Sequence, residues 1–146
     1  MTVHVRSLAM LLGVKPKRAE NFDEFDLADE VSKGLPVDAI NRVCAKLAPD
    51  DTTFRYRIVP KATLARRQRA PRRLLSRDES DRIARVARIW ELAMDVWKSE
   101  DAARRFLAEP HMLLRGRVPR DLAVESEFGA RELEELLGRI KYGIPT

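Results

Sequence analysis

The sequence predicts an all-α protein, and three observations carry that prediction. Ala, Leu, Arg and Glu are abundant while aromatics make up only 6% of the 146 residues, and straight-chain side chains lose little rotamer freedom in a helix. No strand-like alternation of Val, Ile, Thr and Tyr runs for any length. Apolar residues recur instead at intervals of three and four, between prolines and serines placed where helices begin. An apolar content of 45% over this length is enough for a core.

Residues 1–20 read as an arm of uncertain order. The apolar run Leu8 to Val14 is short and ends in Lys15-Pro-Lys-Arg18, which carries few structure-forming signals. From Asn21 to Ser32 apolar and acidic residues mix as in a short amphipathic helix, beginning at Asn21 and stopped by Gly34. Pro36 opens a second helix whose Val37, Ile40, Val43, Cys44 and Leu47 share one face, because a proline in the first turn lacks only an N–H that would have no partner there. Pro49 closes it. Asp50 and Asp51 cap a short segment through Thr53, Phe54 and Tyr56, Ile58 and Val59 form a turn, and Pro60 starts a helix over Lys61 to Arg69.

Pro71 ends that helix. Ser76 and Glu79 then form a capping box, in which each side chain satisfies an otherwise unpaired backbone N–H. The long helix behind it carries the stripe Ile83, Val86, Ala87, Trp90, Ala93, Met94 and Trp97, with Asp78–Arg82 and Asp81–Arg85 spaced for i,i+4 pairs on its outer side. Ser99 restarts a helix that buries Ala102, Ala103, Phe106 and Leu107 and ends at Pro110. His111 to Val118 reads as a loop, and Pro119 opens a single helical turn. Ser126 caps the last helix, in which Leu133, Leu136, Leu137 and Ile140 line one face, Glu135 is spaced to pair with Arg139, and Gly143 marks the end.

Charge is the strongest functional signal. Nine of the 28 Lys and Arg, and none of the 23 Asp and Glu, lie between Thr52 and Arg77, so the formal net charge of +5 is a local +9 in a background of −4. Such a block displaces the counterions condensed on a polyphosphate. Two short helices around a tight turn, the second rich in Arg, form the arrangement that places a recognition helix in a major groove. Lys61, Thr63, Arg66, Arg67 and Arg69 are the candidates to face DNA, with Arg72 and Arg73 on phosphates. The turn has no glycine, the residue that many such motifs use to reach positive φ.

Catalysis finds little support. His4, His111 and Cys44 stand apart from one another in the sequence, no metal-ligand spacing is present, and neither a Gly-rich phosphate loop nor a nucleophile elbow occurs. No catalytic residue, metal or cofactor is expected. The lone Cys44 reads as core filler suited to a reducing compartment. With no apolar stretch of membrane-spanning length, the expectation is a cytoplasmic protein that does not engage a membrane.

Several motifs resemble those of a known family. Ser76-x-x-Glu79-Ser-Asp81-Arg82 opens the long helix, and Ala103 to Pro110 matches an A-x-x-W-L-x-x-P segment with Phe106 at the Trp position. Gly116-Arg-Val-Pro119-Arg-Asp-Leu resembles G-x-T-P-L-E-L, and Gly129-Ala-Arg131 with Leu136-Leu-Gly-Arg-Ile-x-x-Gly143 resembles a closing signature. Together these residues are similar to the toxin-binding domain of the Xre/MbcA/ParS antitoxins. Gly34-Leu-Pro and Thr63-Leu-Ala-Arg-Arg resemble, more loosely, the Xre-like helix-turn-helix that precedes it. Two stretches depart from the pattern: Arg57-Ile-Val-Pro60 stands where relatives more often have a Leu-Gly-Ile-Ser kind of turn, and Pro110-His-Met-Leu-Leu lacks the usual Asn-Pro.

The resemblance implies a helix-turn-helix DNA-binding region over residues 21–74 and a helical toxin-binding domain over 75–146. It implies an antitoxin paired with a RES-domain toxin that depletes NAD, inhibited through a tight complex. The antitoxin's carboxy-terminal end would lie at the toxin's active-site entrance, which assigns toxin contact to Gly138, Arg139, Ile140, Lys141, Tyr142, Gly143 and Ile144. It further implies repression of its own operon through operator DNA, as a homodimer within a larger hetero-oligomer. Two other readings fit the bare sequence: a stand-alone helix-turn-helix regulator without a toxin partner, and an adaptor that uses the helical domain for interactions alone.

Overall fold

The computed structural model describes residues 4–15 and 21–143, which form nine α-helices and one 3-10 turn. The helices are α1 (Val5–Leu11), α2 (Glu24–Lys33), α3 (Asp38–Leu47), α4 (Arg55–Ile58), α5 (Lys61–Arg69), α6 (Arg77–Trp97), α7 (Glu100–Ala108), α8 (Pro119–Glu125) and α9 (Glu127–Tyr142), with the 3-10 turn at Met112–Leu114. Isolated bridges join Pro36 to Leu74 and His111 to Arg117. Among the described residues no helix is long and apolar enough to cross a membrane.

The long helix α6 is the axis of the molecule. Its buried Ile83, Val86, Ala87, Ile89, Trp90, Leu92 and Ala93 belong to one apolar core, and the helix packs against α1, α2, α3 and α4 of the amino-terminal half and α7, α8 and α9 of the carboxy-terminal half, so that core runs through both halves. Both halves of the expected capping box are made: Ser76 Oγ accepts from Glu79 N at 3.2 Å and Glu79 Oε1 accepts from Ser76 N at 2.8 Å. Ser99 and Ser126 cap α7 and α9 as their positions indicate. Gly143 closes α9 in the left-handed region at φ 64°, its N–H reaching the carbonyls of Arg139 and Ile140.

Several details depart from the sequence reading. The amino-terminal arm contains α1, which has no side-chain cap yet buries Leu8, Ala9, Leu12 and Val14 in the core. Tertiary packing supplies what local signals lack. The rest of that arm, residues 1–3 and 16–20, lies outside the described residues. Helix α2 starts at Glu24 and not at Asn21, because Asp23 and Asp26 form a reciprocal capping box. Pro36 precedes α3 and pairs with Leu74, leaving Asp38 to begin the helix.

The arginines of α6 do not make the i,i+4 pairs expected for them. Arg82 donates to the carbonyl of Ile58 at 2.5 Å, and Arg85 donates to the carbonyls of Ala123 and Val124, both at 2.7 Å. They tie α4 and α8 to the long helix by satisfying carbonyls at helix ends, where no intrahelical donor is available. The expected Glu135–Arg139 pair is present at 3.0 Å. Cys44 is buried in α3, and burial pushes its thiol up to about 11, so it fills core space as an unreactive thiol.

Candidate functional site

The segment expected to form the helix-turn-helix falls on α4 and α5, with α3 packed against α4. Asp51 Oδ1 accepts from Thr53 N and Thr53 Oγ1 at 3.1 and 2.8 Å, turning the chain into the single turn of α4. Val59 (φ −136°, ψ 126°) and Pro60 (φ −53°, ψ 146°) then carry it to α5 in extended conformation. No positive φ is used, so this turn has no need of glycine. Helix α5 ends at Ala70, whose N–H reaches the carbonyls of Arg66 and Arg67, and past it Arg73, a non-glycine residue at φ 48°, offers its carbonyl to Val37 N at 3.0 Å. Leu75 N reaches Leu35 O at 2.8 Å beside Gly34, where a Cβ would lie 2.6 Å from the Leu75 carbonyl oxygen. That contact explains the glycine of the Gly34-Leu-Pro segment.

Helix α5 buries only Leu64. At 3.6 residues per turn, Ala62, Arg66 and Arg69 lie opposite Leu64 and face outward, while Arg67 falls beside Leu64 on the inner side. The contacts agree: Arg66, Arg69, Arg72 and Arg73 are exposed, whereas Arg67 makes a two-point pair with Glu79, Nε to Oε1 at 3.0 Å and Nη2 to Oε2 at 3.4 Å. Lys61 is exposed with its ammonium 5.8 Å from the Tyr56 ring, and Thr63 is half-buried. The outward face of α5 thus carries Arg66 and Arg69 with Thr63 next to Arg66, while Lys61 is exposed at the start of the helix nearer the Leu64 side, and Arg72 and Arg73 lie just beyond its end. The block's other early arginines are engaged elsewhere, Arg55 with Asn41 at 2.8 Å and Arg57 with Asp121 of α8.

Glu79 therefore does two jobs, capping α6 and holding α5. Burial alone would raise its carboxyl, but hydrogen bonds from Ser76 N and Arg67 outweigh that and hold it below its ordinary value of 4.5. A depressed folded-state pKa means the stabilisation is full above about 4.5 and is lost as pH falls through the lower folded value. Glu79→Gln is expected to cost about 1–2 kcal/mol at neutral pH, and less at acid pH, where the wild-type carboxylate is itself being neutralised. Urea midpoints of both proteins at neutral and acid pH measure this; a gap that does not narrow in acid contradicts it.

At the other end, α9 lies along α6. Lys141 pairs with Asp95 of α6, and the Lys141 hydrogen bond holds the Asp95 carboxyl low while Lys141 is raised in return. Arg139 is exposed and bound to Glu135, Ile140 packs partly against the core, and Gly138 has open space about its Cα. Tyr142 is 59% exposed with the Lys141 ammonium 5.7 Å from its ring. Ile144 lies outside the described residues. Gly129 sits where a Cβ would meet the Leu122 carbonyl oxygen at 2.8 Å, which is why α8 and α9 approach so closely there.

The two ends are joined by charge. Arg120 of α8 reaches Asp51 at 3.1 Å and lies 5.2 Å from the Phe54 ring, and Lys46 of α3 meets Glu100 of α7 at 2.9 Å. The arrangement is that of an all-α protein with an amino-terminal helix-turn-helix part and a carboxy-terminal helical part that join along one shared helix.

Comparison with known proteins identifies both parts. Residues 26–88 match the antitoxin Xre-like helix-turn-helix domain, and residues 92–143 match the antitoxin Xre/MbcA/ParS C-terminal toxin-binding domain. The chain is 30% identical over 129 residues to a Yersinia enterocolitica protein named Antitoxin Xre, spanning 81% of this chain and 80% of that one. A Photorhabdus laumondii protein of the same name is 37% identical over 68 residues, 46% of this chain and 45% of the relative. The chain belongs to the Xre/MbcA/ParS antitoxin family: a non-catalytic antitoxin with a DNA-binding helix-turn-helix and a carboxy-terminal toxin-binding domain. The first match ends and the second begins within α6, so the long helix serves both.

Proposed function

We propose that this antitoxin neutralises a RES-domain, NAD-depleting toxin by seating the end of α9 at the toxin's active-site entrance, and that it represses its own operon through α5. One observation carries the first part: the last turn of α9 is fixed to α6 by the Lys141–Asp95 pair yet presents Tyr142 to solvent. A pre-positioned aromatic at a helix end costs little entropy to dock. In this reading Tyr142 and Arg139 enter the toxin, Lys141 holds the turn in place, and Gly138, Ile140 and Gly143 shape the helix end, with Ile144 continuing beyond it. Regulation rests on Arg66 and Arg69 at the groove, Thr63 beside them, Lys61 at the start of the helix, and Arg72 and Arg73 on phosphates. Arg67 is reserved for Glu79. Dimerisation supplies a second half-site, because one short recognition helix gives too little discrimination.

Co-expression with the toxin encoded beside the antitoxin gene tests the occlusion. The full chain is expected to restore growth and cellular NAD, and a chain ending at Gly138 to do neither while remaining helical by circular dichroism. Rescue by the shortened chain, with NAD preserved, contradicts the mechanism.

A further inference from the structure

Deepening the toxin-binding reading above, on which it rests, we infer that the tip formed by Met112, Leu113 and Phe128 is the anchoring half of the toxin contact. It is separate from the end of α9, and it fits an apolar pocket rimmed by carboxylates on the toxin. Met112 is 89% exposed, Leu113 48% and Phe128 81%, and all three lie within the stretch that matches the toxin-binding domain. Large apolar side chains clustered in water mark an interaction site more often than they mark nothing.

The tip is built rigid. His111 N donates to Arg117 O at 3.1 Å, Gly116 N returns to His111 O at 2.9 Å, and His111 Nδ1 accepts from Leu113 N at 3.1 Å. Arg115 and Gly116 both take positive φ, 56° and 77°, which closes the loop sharply enough to push Met112 and Leu113 outward while Leu114 is buried beneath them. The His111 ring is held edge-on to Phe106 at 5.8 Å, and Phe106 meets Trp97 at 5.6 Å, so the loop is anchored to the core. Leu113 and Phe128 line one shallow recess together with Arg115, Arg117 and Glu132, with Met112 beside Leu113 outside it. A loop already held in its binding shape loses little entropy on docking.

The rim selects the partner's charge. Arg104 and Arg120 are paired with carboxylates, but Arg115 and Arg117 are exposed without an ion-pair partner among the described residues. Two arginines against the single carboxylate of Glu132 leave the rim net positive, which favours an acidic surface on the other side and speeds encounter with it. The tip is also continuous with the end of α9. Phe128 and Tyr142 are separated by close to four full turns, so they stand on the same solvent-facing side of α9, roughly 21 Å apart. The tip grips and the end of α9 occludes.

Titration of the purified neighbouring-gene toxin into the full-length antitoxin separates these roles. M112S/F128S is expected to weaken toxin binding at least a hundredfold, and R115E/R117E, which changes only exposed side chains, about tenfold with slower association. Both are expected to keep wild-type helicity and wild-type DNA affinity. The chain ending at Gly138 is expected to stay within about tenfold of wild-type affinity for the toxin while losing inhibition. If both tip variants bind the toxin within threefold of wild type, the tip inference fails and the occlusion reading stands. If they only convert an associated antitoxin to monomer, the tip is a contact between copies and the inference likewise fails. If the unaltered chain neither binds nor inhibits the toxin, the occlusion reading falls and takes this one with it.

Discussion

Replacing Phe54 with alanine is expected to cost about 3–5 kcal/mol of folding stability and to weaken DNA binding and toxin binding together. Phe54 is fully buried at the start of α4, and the guanidinium of Arg120, from α8, lies over its ring at 5.2 Å. The ring is packed between the helix-turn-helix and the toxin-binding part. Removing it leaves a cavity that the surrounding helices cannot fill, because Ile58 and Val59 beside it are already fully buried and held in the core. It also strips Arg120 of an aromatic face. Natural domains have only about 5–15 kcal/mol in hand, so the variant should sit near its unfolding midpoint in mild urea. Since α6 carries one core through both parts, the loss should appear as a lower midpoint of a single transition. Phe54→Leu, which keeps most of the volume, should recover more than half of the loss. A cost below about 1 kcal/mol for the alanine variant, or two separate transitions, contradicts a shared core at this residue.

The helices were legible where the chain writes their ends locally. Ser76 with Glu79, Ser99, Ser126 and Gly143 each satisfy backbone groups within a few residues, so their roles can be read from spacing alone, as can the Glu135–Arg139 pair. Helix α1 was not legible because its stability comes from α2, α3 and α6, which are distant in sequence. The partners of Arg82 and Arg85 are hidden from the sequence for a related reason. A neighbouring carboxylate at i−4 is visible in the sequence, whereas the carbonyls of Ile58, Ala123 and Val124 appear only once the chain is folded. An uncapped carbonyl at a helix end is the better partner, since it has no other donor.

The candidate DNA face was legible as a charge block but not residue by residue. Within Lys61 to Arg69 the sequence offers three arginines without ranking them. The ranking was available in one further step, because Leu64 is the helix's only large apolar residue and therefore fixes which side is inward. Placing Arg67 next to that side and Arg66 and Arg69 opposite it separates the structural arginine from the two that face solvent. The tip at Met112 and Leu113 looks like a plain loop in the sequence because its order comes from His111, Gly116 and Arg117 bonding to one another. No local propensity signals such a closure.

Exchanging Arg66, Arg69 and Arg72 for alanine together is expected to lower DNA affinity about a hundredfold at moderate salt, at roughly 1 kcal/mol per lost contact. The more telling readout is the salt dependence. Each phosphate contact contributes about 0.9 to the slope of log affinity against log salt, so the loss of Arg72 alone should flatten it by about 0.9 per protomer, and by up to about 2.7 where Arg66 and Arg69 neutralise phosphates as they enter the groove. The measurement needs no operator, since counterion release is independent of sequence and any duplex reports it. Arg67→Ala is the necessary comparison. Its guanidinium is held by Glu79, so its loss should lower the thermal midpoint while changing the salt slope far less than the triple variant does. If Arg67→Ala flattens the slope as much as Arg66→Ala, the Glu79 pair opens on binding and α5 meets DNA through its inner edge. If the triple variant keeps the wild-type slope, α5 does not contact phosphate at all, and the excess positive charge between Thr52 and Arg77 is an ordinary solvated surface.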